Sequence, residues 1–249
     1  LRLSCKYIMV IDDLADRRHD CDFLLDQNYG SSNERYAGLV PDGCVQLHGP
    51  EFALLNPIYA HRRAEQRFRS GKIERVLIYF GGGADSMNLT LMALRAFQAP
   101  ELEKIELDIV VGPSYAHKEK LQAAAANHGK ARIYTQLRDL SELMEQADLA
   151  IGAAGATTWE RCCLGLPSIL VVCALNQEAI GEGIGKLGAG IVLYPNVNLS
   201  AEISEQVVFL SRDTDQYLKT CYTAACICDG QGVSRVSEEI ISTLSNATI

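Results

Sequence analysis

The feature of this sequence that most restricts its fold is a regular alternation of short apolar segments and longer amphipathic segments from residue 75 onward. Short, continuously apolar segments are typical of strands that are buried on both faces of a parallel sheet. The pattern therefore predicts a doubly wound α/β domain, whose ligands bind beyond the carboxyl ends of the strands. The predicted strands cover 75–80, 107–111, 132–134, 149–151, 168–173 and 190–194, and the predicted helices cover 87–98, 116–128, 140–147, 156–164 and 178–187.

The first 70 residues differ, because few helix-like segments separate their apolar runs. Strands are predicted at 7–11, 23–25 and 45–48. We expect residues 1–70 to be the C-terminal portion of one Rossmann-like domain whose beginning lies upstream of Leu1, and 71–231 to form a second such domain. The arginine-rich stretch 61–75 is predicted to be a solvated helix and linker between them, with a basic contact surface as the alternative.

The charge balance and the lack of long apolar runs exclude several classes of protein. Lys and Arg total 23 and Asp and Glu total 31, so the net charge of −8 argues against a broad basic surface for nucleic acid. No run of about 18 apolar residues occurs, so we predict no membrane span. The nine cysteines are irregularly spaced, which favours buried free thiols in a cytoplasmic protein over disulfides or a metal site. We expect neither a metal nor a cofactor.

The glycine-rich loop between Gly81 and Asp85 follows a predicted strand and precedes a predicted helix. Glycines let the backbone approach a ligand closely, and a helix N-terminus favours an anion such as a diphosphate. The loop is neither G-x-G-x-x-G nor a P-loop, so it supports neither a dinucleotide nor a Walker-type triphosphate site. Gly82, Gly83 and Asp85 are candidates for substrate binding, and the alternative is a tight turn with Asp85 as the helix cap.

A second strand ends in small residues that run from Gly152 to Ala156 and lead into a helix. Thr157 and Thr158 offer hydroxyl and N–H groups to a phosphate, and a carboxylate at Glu160 is suited to accept hydrogen bonds from the two vicinal hydroxyls of a ribose. The alternative for Glu160 is that it complements the helix dipole. Trp159, the only tryptophan, is expected to pack in the core.

Two further groups of polar residues follow predicted strands. Asn176 and Gln177 come after the strand that ends at Cys173, where amides are suited to bind sugar hydroxyl or N-acetyl groups, although Asn176 equally fits a helix N-cap. Asp12 and Asp13 end the first strand, where a carboxylate is suited to position or deprotonate a ligand, or to cap a loop. These residues alone define no acid–base pair.

Taken together, these segments resemble the UDP-sugar hydrolase family of pseudaminic acid biosynthesis, which is related to the GT-B glycosyltransferases and especially to the transferase that adds N-acetylglucosamine in peptidoglycan synthesis. The resemblance extends over nearly the whole chain. It is carried by the segments Ile11–Asp22, Leu24–Asn28, Phe52–Leu55, the glycine-rich loop with Asp85, Gly155–Glu160, Asn176-Gln177, Asp229–Gly232 and Arg235-Val236.

The resemblance implies a GT-B-like α/β fold of two Rossmann-like doubly wound domains, the first incomplete, and a C-terminal helix in 232–249 that returns to the first domain. It implies hydrolysis of UDP-2,4-diacetamido-2,4,6-trideoxy-β-L-altropyranose at the anomeric carbon, with release of UDP and without a metal. The implied substrate-binding residues are Gly82, Gly83 and Asp85 at the cleft, Gly155, Ala156, Thr157 and Thr158 at the diphosphate, Glu160 at the ribose, and Asn176 and Gln177 on the sugar side.

The sequence departs from the family in one respect. The family carries a Gly-x-Gly-His-x-x-Arg motif whose histidine is the supposed general base, and none of the five histidines here lies in such a motif. We therefore expect the base upstream of Leu1, with Asp13 as a further candidate. Two alternatives stay open: a GT-B glycosyltransferase that passes the sugar of a UDP-sugar to an acceptor, and a non-catalytic fragment that binds a nucleotide-sugar.

Overall fold

A computed structural model describes residues 2–65, 69–83, 85–135 and 137–246, and within these ranges nine β-strands form two parallel sheets. Parts of three predicted features lie outside the described residues. They are Leu1 and 247–249 of the predicted terminal segments, 66–68 of the arginine-rich stretch, and Ala84 of the glycine-rich loop.

The smaller sheet contains the three strands predicted in the first 70 residues. These are β1 (Met9–Ile11), β2 (Phe23–Asp26) and β3 (Val45–His48), in the order β1-β2-β3. All of them are parallel, with Met9 opposite Phe23 and Phe23 opposite Val45. Their carboxyl ends, which carry Asp12, Asp13 and Asp26, therefore meet at one edge of this sheet.

The larger sheet has six parallel strands, and all six predicted strands are present with small changes at their ends. They are β4 (Arg75–Tyr79), β5 (Glu106–Val111), β6 (Ala131–Thr135), β7 (Leu149–Ala153), β8 (Ser168–Val171) and β9 (Ile191–Leu193). Their order is β6-β5-β4-β7-β8-β9. Counted from β4, this is the 3-2-1-4-5-6 order of the Rossmann fold, in which the strand order reverses between the first and fourth strands. The ligand crevice of such a sheet lies at that reversal, here beyond β4 and β7.

The described residues also contain nine α-helices. They are α1 (Pro57–Ala64), α2 (Leu89–Arg95), α3 (Lys118–His128), α4 (Ser141–Gln146), α5 (Thr157–Cys163), α6 (Glu178–Leu187), α7 (Leu199–Arg212), α8 (Thr214–Ile227) and α9 (Gly232–Asn246). The helix predicted over 87–98 is α2 followed by a 3-10 turn, Ala96–Gln98. None of these helices is long and apolar enough to cross a membrane.

The larger sheet is buried on both faces, as its apolar strands predict. Val76 and Ile78 of β4 face a core formed with α2, α3 and α7, whereas Leu77 between them faces a second core formed with α4, α5 and α6. Successive residues of a strand point to opposite faces, so a strand covered on both sides needs an apolar residue at every position. This requirement explains the continuous apolar segments of the sequence.

The arginine-rich stretch begins in a helix, as predicted, but two of its arginines, Arg62 and Arg63, are not solvated as their charges predict. The guanidinium of Arg62 bonds to Ser141 Oγ at 2.9 Å and pairs with Glu145, and that of Arg63 donates to the carbonyls of Cys163 and Ala225 at 2.7 and 2.8 Å. The helix that carries both, α1, contacts α4 and α5. These arginines therefore fasten the segment to the elements around the larger sheet.

The last helix, α9, begins where the resemblance implies. Val236 and Ile240 of α9 pack against Leu25 and Leu47 of the smaller sheet. Arg235 donates to the carbonyl of Glu51 at 2.9 Å and pairs with Asp229 at 2.5 Å. The chain thus crosses from the larger sheet, where α8 contacts α5, back to the smaller one. The domain boundaries themselves stay a prediction.

Candidate functional site

Two neighbouring cavities open beyond the carboxyl ends of the strands, at the point where the order of the larger sheet reverses. The Glu160 cavity has a volume of about 300 Å³, and Tyr59, Tyr79, Gly82, Arg138, Thr157 and Glu160 are among the residues that line it. The Asn176 cavity has a volume of about 270 Å³. It is lined from the smaller sheet by residues that include Asp12, Asp13 and Asn28, and from the larger sheet by residues that include Gly155, Ala156 and Asn176.

The segment 154–157, which joins β7 to α5, lies between the two cavities. Thr157 lines the Glu160 cavity, and Gly155 and Ala156 line the Asn176 cavity. The N–H groups of Gly155, Ala156 and Thr157 have no acceptor in the described part of the chain, although the N–H of Thr158 donates to Gly155 O at 2.9 Å. The segment therefore presents unpaired backbone donors to a ligand that spans both cavities.

Glu160 is placed in its cavity by α5 and is held there by α1. The hydroxyl of Tyr59 donates to Glu160 Oε2 at 3.0 Å. Burial raises the pKa of Glu160 above its usual value, and burial beside the carboxylate of Glu160 raises the pKa of Tyr59 as well. The second carboxylate oxygen of Glu160 has no partner among the described residues, so it is free to accept a hydrogen bond from a ligand.

The glycine-rich loop contributes Gly82 to the Glu160 cavity, whereas Gly83 and Asp85 line neither cavity. The carboxylate of Asp85 accepts hydrogen bonds from the N–H groups of Leu89 and Thr90 at 2.8 and 2.9 Å, so it caps α2. This is the alternative that the sequence left open for Asp85. Whether Asp85 also contacts a ligand stays a prediction.

Two residues of α5 face inward. Thr158 is 2% exposed, and its Oγ1 accepts a hydrogen bond from the guanidinium of Arg161 at 3.0 Å. Trp159 is 1% exposed and packs in the core, as expected. Thr158 therefore directs its side chain toward Arg161 and lines neither cavity, and its contact with a phosphate stays a prediction.

Asn176 and Gln177 lie together in the 3-10 turn that follows β8. Gln177 Oε1 accepts a hydrogen bond from the N–H of Cys173 at 3.0 Å, and Gln177, rather than Asn176, occupies the N-cap position of α6. The side chain of Asn176 is exposed, and its Nδ2 donates to Asp13 Oδ2 at 3.3 Å. The amide of Asn176 thus faces the Asn176 cavity instead of capping a helix.

Asp12 and Asp13 have different surroundings, although they are neighbours. Asp12 is 6% exposed, and burial by itself would raise its pKa. Hydrogen bonds from the Ala15 N–H and the Tyr36 hydroxyl outweigh burial and hold that pKa below its usual value. Asp13 is exposed, and its carbonyl accepts from Arg35 Nη2 at 2.8 Å. Asp13 therefore presents a carboxylate to the cavity from a fixed backbone, while Asp12, which also lines the cavity, has its Oδ2 occupied by Ala15 and Tyr36.

Several residues that shape this site carry no signal in the sequence. Tyr59 lies 101 positions before its partner Glu160, and Arg35 lies 22 positions after Asp13. No local pattern marks such partners. In the described part of the chain, no three residues among His, Cys, Asp and Glu lie close enough together to hold a metal ion.

The strand order, the two parallel sheets and the cavities at the strand ends define a GT-B-like α/β protein. Residues 76–222 match the model of the glycosyltransferase family 28 C-terminal domain, and the chain belongs to that family. Its fold is similar to that of MurG from Acinetobacter baumannii, with a TM-score of 0.63 and 18% identity over 88% of this chain and 67% of that one.

Two curated relatives match over most of the chain. The spore coat polysaccharide biosynthesis protein SpsG of Bacillus subtilis is 25% identical over 223 residues, which are 87% of this chain and 63% of the relative. The UDP-2,4-diacetamido-2,4,6-trideoxy-β-L-altropyranose hydrolase of Campylobacter jejuni is 28% identical over 184 residues, which are 73% of this chain and 63% of the relative. The chain thus spans less than two thirds of either relative.

Proposed function

We propose that the chain binds a UDP-sugar across the two cavities, with uridine in the Glu160 cavity and the sugar in the Asn176 cavity. The observation that carries the proposal is the position of the segment 154–157, which lies between the cavities with three unpaired N–H groups. A diphosphate is the anionic part of a nucleotide-sugar and joins its two ends. Membership of the glycosyltransferase family 28 supports the same class of ligand.

In this arrangement some of the predicted residues contact the ligand, and others shape the loops around it. Glu160 accepts hydrogen bonds from the ribose hydroxyls, Gly155, Ala156 and Thr157 donate to the diphosphate, and Asn176 and Gln177 face the sugar. Gly82 lets the backbone come close to the ligand. Asp85 caps α2 and Thr158 bonds to Arg161, so both shape the loops at the ligand, and they stay candidate contacts together with Gly83.

We further propose that the protein to which this chain belongs is a hydrolase of a UDP-linked 2,4-diacetamido-2,4,6-trideoxy sugar in pseudaminic acid biosynthesis. The likeness to the Campylobacter jejuni hydrolase supports this substrate. Water attacks the anomeric carbon and gives one proton to a base, while the bond from that carbon to the diphosphate oxygen breaks and its electron pair leaves with UDP. Asp13, whose carboxylate faces the Asn176 cavity, is the candidate base within this chain.

A glycosyltransferase is the second candidate, because the family is one of glycosyltransferases and a solved neighbour is a spinosyn rhamnosyltransferase. The two reactions differ only in the nucleophile, since a transferase brings an acceptor hydroxyl to the carbon that water attacks in a hydrolase. A third candidate is a chain that binds the nucleotide-sugar without catalysis.

Two measurements test these proposals in order. Calorimetric titration with UDP, with AMP as control, tests the nucleotide site. Mass spectrometry of a UDP-diacetamido sugar incubated with the protein, with and without added acceptor sugars, then identifies the products. Free sugar and UDP would support the hydrolase, a glycosylated acceptor would support the transferase, and UDP binding without turnover would support the third candidate.

A further inference from the structure

Arg161, the residue after Glu160 on α5, is a buried cation whose charge interacts with the carboxylate of Glu160 without forming an ion pair among the described residues. It is 2% exposed, and no carboxylate of the described residues lies within ion-pair distance of its guanidinium. Its Nε is buried and makes no hydrogen bond there. Burial lowers the pKa of Arg161 to about 10, so its side chain still carries its charge at neutral pH. A buried charge that no ion pair neutralises is costly, and its field is weakly screened.

The guanidinium of Arg161 holds both ends of the segment 154–157. Its Nη2 donates to the carbonyl of Ala153 at 2.8 Å and to Thr158 Oγ1 at 3.0 Å, which are the residues on either side of that segment. On the β7 side it packs closely against the backbone, because a Cβ placed on Gly152 would lie only 2.7 Å from Nη1. The charge is therefore fixed directly behind the backbone that lies between the two cavities.

We propose that Arg161 is a positioning residue for the diphosphate of the ligand: it fixes the segment 154–157 and supplies the positive charge that balances the diphosphate from behind that segment. This inference rests on the proposed function and specifies how the site distinguishes a nucleotide from a nucleoside. UDP brings the negative charge of its diphosphate to the segment in front of Arg161, whereas a ligand without phosphates brings none.

The quantity that tests the proposal is the dissociation constant of uridine divided by that of UDP, both measured by calorimetry. A high ratio means that the diphosphate strengthens binding. A merely structural arginine would lower both affinities together or neither, so the ratio would not move. The variants are R161Q, which keeps a hydrogen-bond donor without the charge, and R161K, which keeps the charge. R69Q is the matched control, because Arg69 is also buried and donates to backbone carbonyls, those of Leu164 and Met144, which do not line either cavity.

We expect the ratio to fall by about fivefold or more in R161Q and to stay within about twofold of the wild type in R161K and R69Q. A folded R161Q protein with an unchanged ratio would overturn the proposal, as would an R161K ratio as low as that of R161Q.

Should R161Q not fold, as judged by circular dichroism, T158V removes one of the two groups that Arg161 contacts. The ratio is then expected to fall by about twofold to threefold, and an unchanged ratio would overturn the proposal. If the wild type binds neither ligand, the proposed function fails instead.

Discussion

Glu160 combines an unpaired carboxylate oxygen with a raised pKa. Tyr59 occupies one of its oxygens, and the other is directed to the ligand in the proposed complex. An ionised carboxylate accepts hydrogen bonds from two vicinal hydroxyls, whereas a protonated one loses acceptor capacity. In the proposed complex, the charge of Glu160 therefore makes ribose binding depend on pH.

The affinity for uridine should fall as the pH is lowered toward 5. Because burial raises the pKa of Glu160 above the ordinary value of 4.5, protonation begins at a higher pH than in an exposed glutamate. Uridine is the appropriate ligand, since it has no phosphate that titrates in this range. Calorimetry from about pH 7.5 to about pH 5 should show a progressive loss of affinity for the wild type.

The matched variant for this experiment is E160Q, which has the same shape but does not titrate. We expect E160Q to bind uridine about tenfold more weakly at neutral pH and with little change across the range. Equal affinity of the wild type and E160Q at neutral pH would show that Glu160 does not contact the ribose.

At the scale of elements, the loops after β4 and β5 touch through their backbones. A Cβ placed on Gly112 would lie 2.0 Å from the carbonyl oxygen of Gly82, which no small adjustment relieves. Gly82 lines the Glu160 cavity, so this close approach of two loops helps to shape the cavity. Gly112 follows β5 directly, where the strand gives way to the loop.

Replacing Gly112 with Ala should therefore lower both stability and UDP affinity. We expect a loss of about 2 kcal/mol in the free energy of unfolding, measured by chemical denaturation, because the added methyl group must displace backbone. UDP affinity should fall several-fold. G43A is the control, since a Cβ on Gly43 meets nothing within 4 Å. A G112A protein as stable as G43A would contradict the described contact between the loops.

The start of α9 depends on an ion pair that titrates at low pH. The hydrogen bond from Arg235 lowers the pKa of Asp229 to about 2, although burial opposes the shift. An aspartate whose pKa is depressed in the folded state contributes stability above its unfolded pKa of 3.8, and this contribution is lost as the pH falls toward 2. Both side chains are more than a third exposed, so the contribution is modest.

D229N should therefore destabilise the protein by about 1 kcal/mol at pH 7 and have little effect near pH 2. Thermal unfolding of the wild type and the variant at both pH values measures this difference. E101Q is the control, because Glu101 and Arg212 form a more exposed pair at 3.4 Å. A destabilisation by D229N that is equal at both pH values would exclude a charge effect.

The elements of the larger sheet could be predicted because strands covered on both faces are apolar at every position. The helices α7 and α8 were missed, although Leu199, Ile203 and Val207 recur at helical spacing on the buried face of α7.

The arginines of α1 were misassigned because the carbonyls that they contact, such as Cys163 and Ala225, lie about 100 positions away or farther in the sequence. The same holds for Tyr59 at Glu160. A local pattern shows which residues are polar but not which distant group satisfies them.

At the scale of the whole molecule, α9 joins the smaller sheet to the elements around the larger one. Val236 is 5% exposed and packs with Leu25 and Leu47, whereas Val233 of the same helix is 39% exposed. Among the described residues the smaller sheet has three strands, and Val236 is one of the three buried members of the apolar cluster on this side, so α9 contributes to its burial.

V236A should therefore lower the free energy of unfolding by about 2 kcal/mol, while V233A changes it little. Urea denaturation of both variants measures the difference. UDP affinity should stay within about twofold of the wild type in both, because the proposed nucleotide contacts all lie on the larger sheet. Equal stability of the two variants would contradict the packing of α9 on the smaller sheet.

The central claim is that the reversal point of the larger sheet is a site for a uridine diphosphate. Calorimetric titration of the chain with UDP, with AMP as control, tests this claim most directly. We predict one UDP site per chain and no measurable binding of AMP. Equal binding of both nucleotides, or no binding of UDP to a chain shown by circular dichroism to be folded, would contradict the claim.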